Sequence, residues 1–213
     1  MKKILTVFLC LCLLLPAAAA CAERKVITAL ASEVNPEALV SVSVNARIRQ
    51  YNPDSNTLDM EIIVPERYDP AEVRSLQIGD AIYTQGREVE IRTIENDESG
   101  YLVLNQDAED AVDLYEGVDL AYWVSDVNDN TWTVLAEIRV PVPERLLFLD
   151  GIDPATGESP LQPAVHNARE FVSMLVSEEE GQTGPGFALN NVTAVFDETG
   201  ALALVRRFYV PWQ

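Results

Sequence analysis

Asp126, Asn128 and Asn130 alternate along the stretch "SDVNDN", and Glu137 follows seven residues after Asn130. Oxygen donors at positions one, three, five and twelve are the spacing with which a helix–loop–helix calcium loop wraps its ion. Two features argue against that geometry. The sixth position, where such a loop needs glycine, is Thr131, and residues 131 to 142 alternate apolar and polar side chains with period two. A strand must therefore leave the turn, and an extended chain carries Glu137 away from Asp126. The stretch reads as a polar hairpin turn, with Asp126, Asn128 and Asn130 as candidate ligands of a low-affinity cation site.

Trp123 and Trp132 flank the same turn. Exposed indoles there could stack on a sugar or a partner; the alternative is cross-strand packing within the hairpin. Both are kept as candidate binding residues. His166 is the single histidine, and Glu170 lies four residues on, a spacing that could make an acid–base pair. Without a second histidine, and with no cysteine after residue 21, a structural zinc site has no ligand set. No Gly-x-Ser-x-Gly elbow, phosphate-binding glycine loop or dinucleotide fingerprint occurs. The 34 acidic residues guarantee chance carboxylate pairs and single none out. "NVT" at Asn191 reads as a strand start. No catalytic residue and no cofactor is assigned.

The N-terminus bears on where the protein works. Lys2 and Lys3 precede the apolar run "ILTVFLCLCLLL", then Pro16, small residues and a charged stretch from Glu23. A positive start, a short greasy middle and a small-residue exit describe a secretory signal peptide. Cleavage after Ala20 or Ala22 would give a secreted protein. The stretch "AAAC", residues 18 to 21, resembles the lipobox of bacterial lipoproteins, with Ala18 where that family usually has Leu. The resemblance implies that Cys21 receives a diacylglycerol. All three cysteines, Cys10, Cys12 and Cys21, lie in the first 21 residues. The body can form no disulfide, and an unpaired thiol near a new N-terminus is more readily understood if acylated.

A formal net charge of −19 repels nucleic-acid phosphates and anionic lipid headgroups, and no basic patch with interleaved aromatics occurs. Nucleic acid is therefore not an expected partner. The charge fits solubility, or attraction for cations or a basic partner.

The elements follow from periodicity. Residues 22–38 show no firm period and read as a tether. Val40, Val42, Val44, Ala46 and Ile48 alternate with polar residues, as do Leu58, Met60, Ile62 and Val64 before Pro65; "YNPDSNT" between them makes a hairpin. Asp69, Pro70 and Glu72 can start a short helix. Strands follow around a tight turn at Gln85-Gly86 and at "YLVLN", and "DAEDAVDLYEG" reads as a brief helix capped by Asp107. "DLAYWV" and "TWTVLAEIRVPV" read as a strand pair around the polar turn. Ser159, Pro160 and Gln162 predict the start of an amphipathic helix over roughly 160 to 178, and the chain closes with a hairpin.

These elements predict a mainly β (α+β) fold. The spacing of the first five strands suggests a small OB-like or SH3-like antiparallel barrel over 39–142, with 143–213 a small α+β region packed on or following it. Residues 1–21 are the signal peptide. The expected function is a non-enzymatic binding module of unknown protein or glycan ligand, on the outer face of the cytoplasmic membrane as a lipoprotein, or secreted. Its membrane contact is the lipid on Cys21. The alternatives are an exported, carboxylate-dependent, glycan-directed hydrolase and a low-affinity cation binder.

Overall fold

The computed structural model describes residues 24–126, 129–153, 156–179 and 186–208. The expectations that fall on residues 1–23, among them the signal peptide and Cys21, and on Asn128 lie outside the described residues. Along the chain come β1 (Val26–Thr28), β2 (Val42–Asn52), β3 (Thr57–Pro65), β4 (Arg67–Tyr68), α1 (Pro70–Arg74), β5 (Ala81–Thr84) and β6 (Arg87–Glu90). Then follow β7 (Ile94–Asn96), β8 (Leu102–Leu104), β9 (Val112–Glu116), β10 (Tyr122–Asp126), β11 (Asp129–Asn130) and β12 (Trp132–Pro141). The last are β13 (Leu147–Gly151), β14 (Ala164–Asn167), α2 (Ala168–Glu179), β15 (Val192–Phe196) and β16 (Leu202–Phe208). Strands account for 46% and helices for 9%, so the protein is mainly β.

The strands form three sheets. Seven lie in the order β12-β3-β2-β15-β16-β13-β14, antiparallel except for the parallel pair β13–β16. A six-stranded sheet runs β11-β10-β9-β8-β7 with β4 also on β10, and a third has the order β1-β5-β6. Among the described residues no closed barrel forms. The barrel expectation followed consecutive strands along the chain, but β2 and β3 bond instead to β15 and β12, more than a hundred and about seventy residues away. The seven-stranded sheet thus draws strands from both sides of residue 142.

Two apolar cores match this division. In the larger, Val44, Ala46 and Ile48 of β2 and Leu58, Met60 and Ile62 of β3 face one side, where α2 brings Phe171 and Leu175 against Phe148 and Phe187. Phe148 and Phe171 ring centroids are 4.9 Å apart, and each buried side chain of this size contributes roughly 1.5–3 kcal/mol. The smaller core joins Ile27, Val73, Ile82, Ile91, Leu104, Leu114 and Val124.

The chain enters the smaller lobe through Glu66 and leaves it through Thr131, where the Glu66 N–H donates to the Thr131 carbonyl at 3.0 Å. The Glu66 carboxylate is buried there. It accepts from the Thr84 hydroxyl at 2.6 Å, the Thr133 hydroxyl at 2.9 Å and the Gln85 N–H at 3.0 Å. The Tyr68 hydroxyl stands 3.2 Å from it and 2.8 Å from the Tyr83 carbonyl, and burial pushes this phenol above its usual range. A carboxyl group this deep is tolerated because hydrogen-bond donors satisfy its oxygens.

Four local readings need correction. Residues 24–30 are not a free tether: Val26–Thr28 adds a parallel strand to β5, and Ile27 is fully buried in the smaller core. The amphipathic helix starts at Ala168, after β14, rather than near 160. Its true cap is Asn167, whose Oδ1 accepts from the Arg169 and Glu170 N–H groups while Glu170 Oε2 accepts from the Asn167 N–H. "DAEDAVDLYEG" holds β9 rather than a helix, because Val112 and Leu114 alternate into the smaller core. Finally, β12 does not pair with β10 beyond the tip; it crosses to β3, with Trp132 opposite Pro65.

Candidate functional site

The outer face of the six-stranded sheet carries the most distinctive cluster. On β9, Val112 and Leu114 point into the core, so Asp113 and Tyr115 point out. Trp123 of β10 lies directly opposite Tyr115, and Leu102 opposite Leu114, which sets Tyr101 beside Tyr115 on the outer face. The Tyr115 and Trp123 rings have centroids 6.3 Å apart at 29°, and Tyr101 and Tyr115 are 5.7 Å apart at 55°. Arg67 of β4 is opposite Trp123. A row of three half-buried aromatic rings therefore runs from Tyr101, just before β8, across β9 and β10 and ends on a guanidinium.

Polar contacts fix the end of this row. The Trp123 Nε1–H donates to Asp119 Oδ1 at 2.9 Å, and Arg67 Nη1 donates to Asp119 Oδ2 at 3.1 Å. These contacts, the indole first, hold the Asp119 carboxyl below the usual carboxylate range. Gly117 lies beneath the indole: a Cβ there would fall 2.5 Å from Trp123 Nε1. Burial, with Tyr101 and Asp119 close by, raises the Tyr115 phenol. At the tip of the same hairpin Val118 and Leu120 are exposed, with Leu120 at φ +64°. The indole is thus pinned by its own sheet, and binding costs it little rotamer entropy.

The structure brings only one of the two candidate tryptophans to this row. Trp132 opens β12 in the other sheet, with its indole nitrogen buried and without a hydrogen-bond partner among the described residues. Asp126 and Asn130 fall on β10 and β11 at the hairpin tip. Among the described residues there is no group of three or more histidine, cysteine or acidic side chains able to hold a metal ion. His166 stacks on Phe148 with centroids 5.7 Å apart, and its Nδ1 is 3.8 Å from Glu170 Oε2. Glu170 is occupied as the partner of the Asn167 cap.

Carboxylates do gather in a groove of about 440 Å3 on the seven-stranded sheet, lined by Arg49, Asp59, Glu61, Glu137 and Arg139 among others. Glu61 is held low by Arg49 first and Arg47 second, and Asp59 by the two-pronged Arg139. A hydrolytic acid needs a raised pKa, and aromatic side chains to hold a sugar are lacking among the lining residues. Four of these side chains are paired, Arg49 with Glu61 and Arg139 with Asp59.

Sequence reasoning missed Tyr101 and Tyr115. The signal was present in "DLYEGVDLAYWV": read as a hairpin about Val118–Leu120, it places Tyr115 opposite Trp123.

No family model, curated protein or solved structure matches the chain. No helix of the described residues is long and apolar enough to cross a membrane.

Proposed function

We propose that the protein is an exported, lipid-anchored, non-enzymatic binding module that holds a neutral glycan on the row Tyr101–Tyr115–Trp123. The observation carrying this reading is the pinned indole beside Tyr115, with Asp119 and Arg67 at its edge. Aromatic faces suit the apolar C–H faces of a sugar ring, and a carboxylate and a guanidinium at the rim suit its hydroxyls. The net charge of −19 argues against an anionic ligand. Export rests on the charged start, apolar run and small-residue exit of the N-terminus, and anchoring on the lipobox resemblance at Cys21.

Titration with neutral β-linked oligosaccharides, followed by calorimetry, tests the ligand. Binding should weaken at least about tenfold in Trp123→Ala and in Tyr115→Ala while the circular dichroism stays unchanged. A Trp123→Ala variant that binds like the wild type, or a wild type that binds none of the glycans, overturns the reading. Intact-mass analysis of the mature protein tests the anchor. A diacylglycerol mass on Cys21 supports it, and a free N-terminus at Glu23 refutes it.

A further inference from the structure

We infer that β12 is a self-association edge, through which two copies of this chain join their seven-stranded sheets antiparallel about a two-fold axis at Ile138. β12 ends the strand order of its sheet and spans ten residues. The Val142 N–H donates to the Asn56 carbonyl at 3.0 Å, in the register that sets Val140 opposite Leu58 and Ile138 opposite Met60. Residues 138 and 140 therefore turn their backbone groups to β3. By alternation, Glu137 and Arg139 turn theirs to the edge that no other strand among the described residues covers.

Charge then selects one register. Pairing 137 with 137 or 139 with 139 sets like charges opposite each other. Arg139 already holds Asp59 through Nε and Nη2, so the second copy's Glu137 would take its remaining Nη1; this pairing serves both symmetry-related sites and leaves Ile138 facing itself and Ala136 facing Val140. Glu137 is exposed and would gain a cation in this register. Its cross-strand neighbour is another carboxylate, Glu61, which Arg47 and Arg49 already hold. Among the described residues Glu137 has no ion pair of its own. Leu135, Ile138 and Val140 are only partly buried at the rim of the larger core, and an added strand would cover them. Charges on an edge usually ward off strand addition. Here two opposite signs two residues apart are self-complementary under a two-fold axis. The bulge between Val134 and Ala136, and Pro141 with no N–H to donate, confine the pairing to a short ladder.

The test uses the full chain with Cys10, Cys12 and Cys21 replaced by serine, carrying Ile138→Cys. The two copies' residue 138 would form a non-hydrogen-bonded pair, about 4.5 Å between Cα atoms, which suits a disulfide. Oxidation should give a covalent dimer, whereas Val134→Cys on the same strand should stay monomeric. In parallel, sedimentation equilibrium of the otherwise unaltered chain should show a dimer that exposed-site Glu137→Arg weakens at least about tenfold, with unchanged circular dichroism. The inference is overturned by a monomeric wild type at its highest soluble concentration, by a dimer indifferent to Glu137→Arg, or by equal cross-linking from positions 134 and 138. An edge that instead captures an extended peptide would show the first of these results.

Discussion

Asp150 and Arg207 face each other across the parallel strands β13 and β16 and join through two hydrogen bonds, 2.9 Å from Nε to Oδ1 and 2.6 Å from Nη2 to Oδ2. Asp150 is only 3% exposed, and the guanidinium carbon lies 4.4 Å from the Phe187 ring centroid. Removing the cation would leave a buried carboxylate uncompensated. Arg207→Ala is expected to lose about 3–5 kcal/mol in urea denaturation. Arg207→Lys should recover only part of this, because an ammonium cannot reproduce the two-pronged contact. Replacing both residues with apolar ones should cost less than Arg207→Ala alone.

Glu66 sets a second test. Its oxygens accept from Thr84, Thr133 and the Gln85 N–H, so an amide would turn N–H groups toward donors. Glu66→Gln is expected to cost about 1–3 kcal/mol. The loss should show in the smaller lobe first, as faster amide exchange in β5 and β9.

Gly117→Ala separates the presence of the indole from its placement. The added Cβ must displace the Trp123 ring or break its bond to Asp119. Glycan binding should fall in this variant although all three rings remain. Tryptophan fluorescence should shift as the indole moves, while denaturation of the larger sheet is unaffected.

Acid should destabilise the protein in a defined window. Asp59, Glu61, Asp110, Asp119 and Asp197 all have folded-state carboxyls lowered, chiefly by hydrogen bonds to Arg139, Arg49, Arg92, Trp123 and Thr199 respectively. A depressed folded pKa contributes stability that is fully present above the unfolded value, about 4, and is lost as pH falls through the folded values. Thermal melts at constant ionic strength should therefore show this loss below about pH 4, and Asp59→Asn should shrink it.

Asn167→Ala should cost about 1 kcal/mol by removing the cap of α2. Ser159→Ala, at the start predicted from sequence, should be silent.

Much of the secondary structure was legible because it depends on near neighbours. The alternation through Val44, Ala46 and Ile48 marked β2, Asp69 does cap α1, and Gln85 and Gly86 both take positive φ in the turn expected of them. The partners of those strands were not legible. Nothing local tells Val44 that it will lie opposite Ala194, or Leu147 that it will run parallel to Leu204. The candidate site was half visible for the same reason. Trp123 stands out by composition, whereas its row exists only once the β8–β9–β10 register is set. The helix start was misplaced because Ser159 and Pro160 imitate a cap that "NARE" supplies.

The docking of β1 alters what the N-terminus can do. Only four residues, five chain steps, separate Cys21 from Val26, a reach of at most about 18 Å even when pulled straight. With a lipid on Cys21, the smaller lobe would be moored near the headgroups on a short leash instead of swinging free. A ligand on the Tyr101–Tyr115–Trp123 row would then have to come within a molecule's width of the bilayer to be caught.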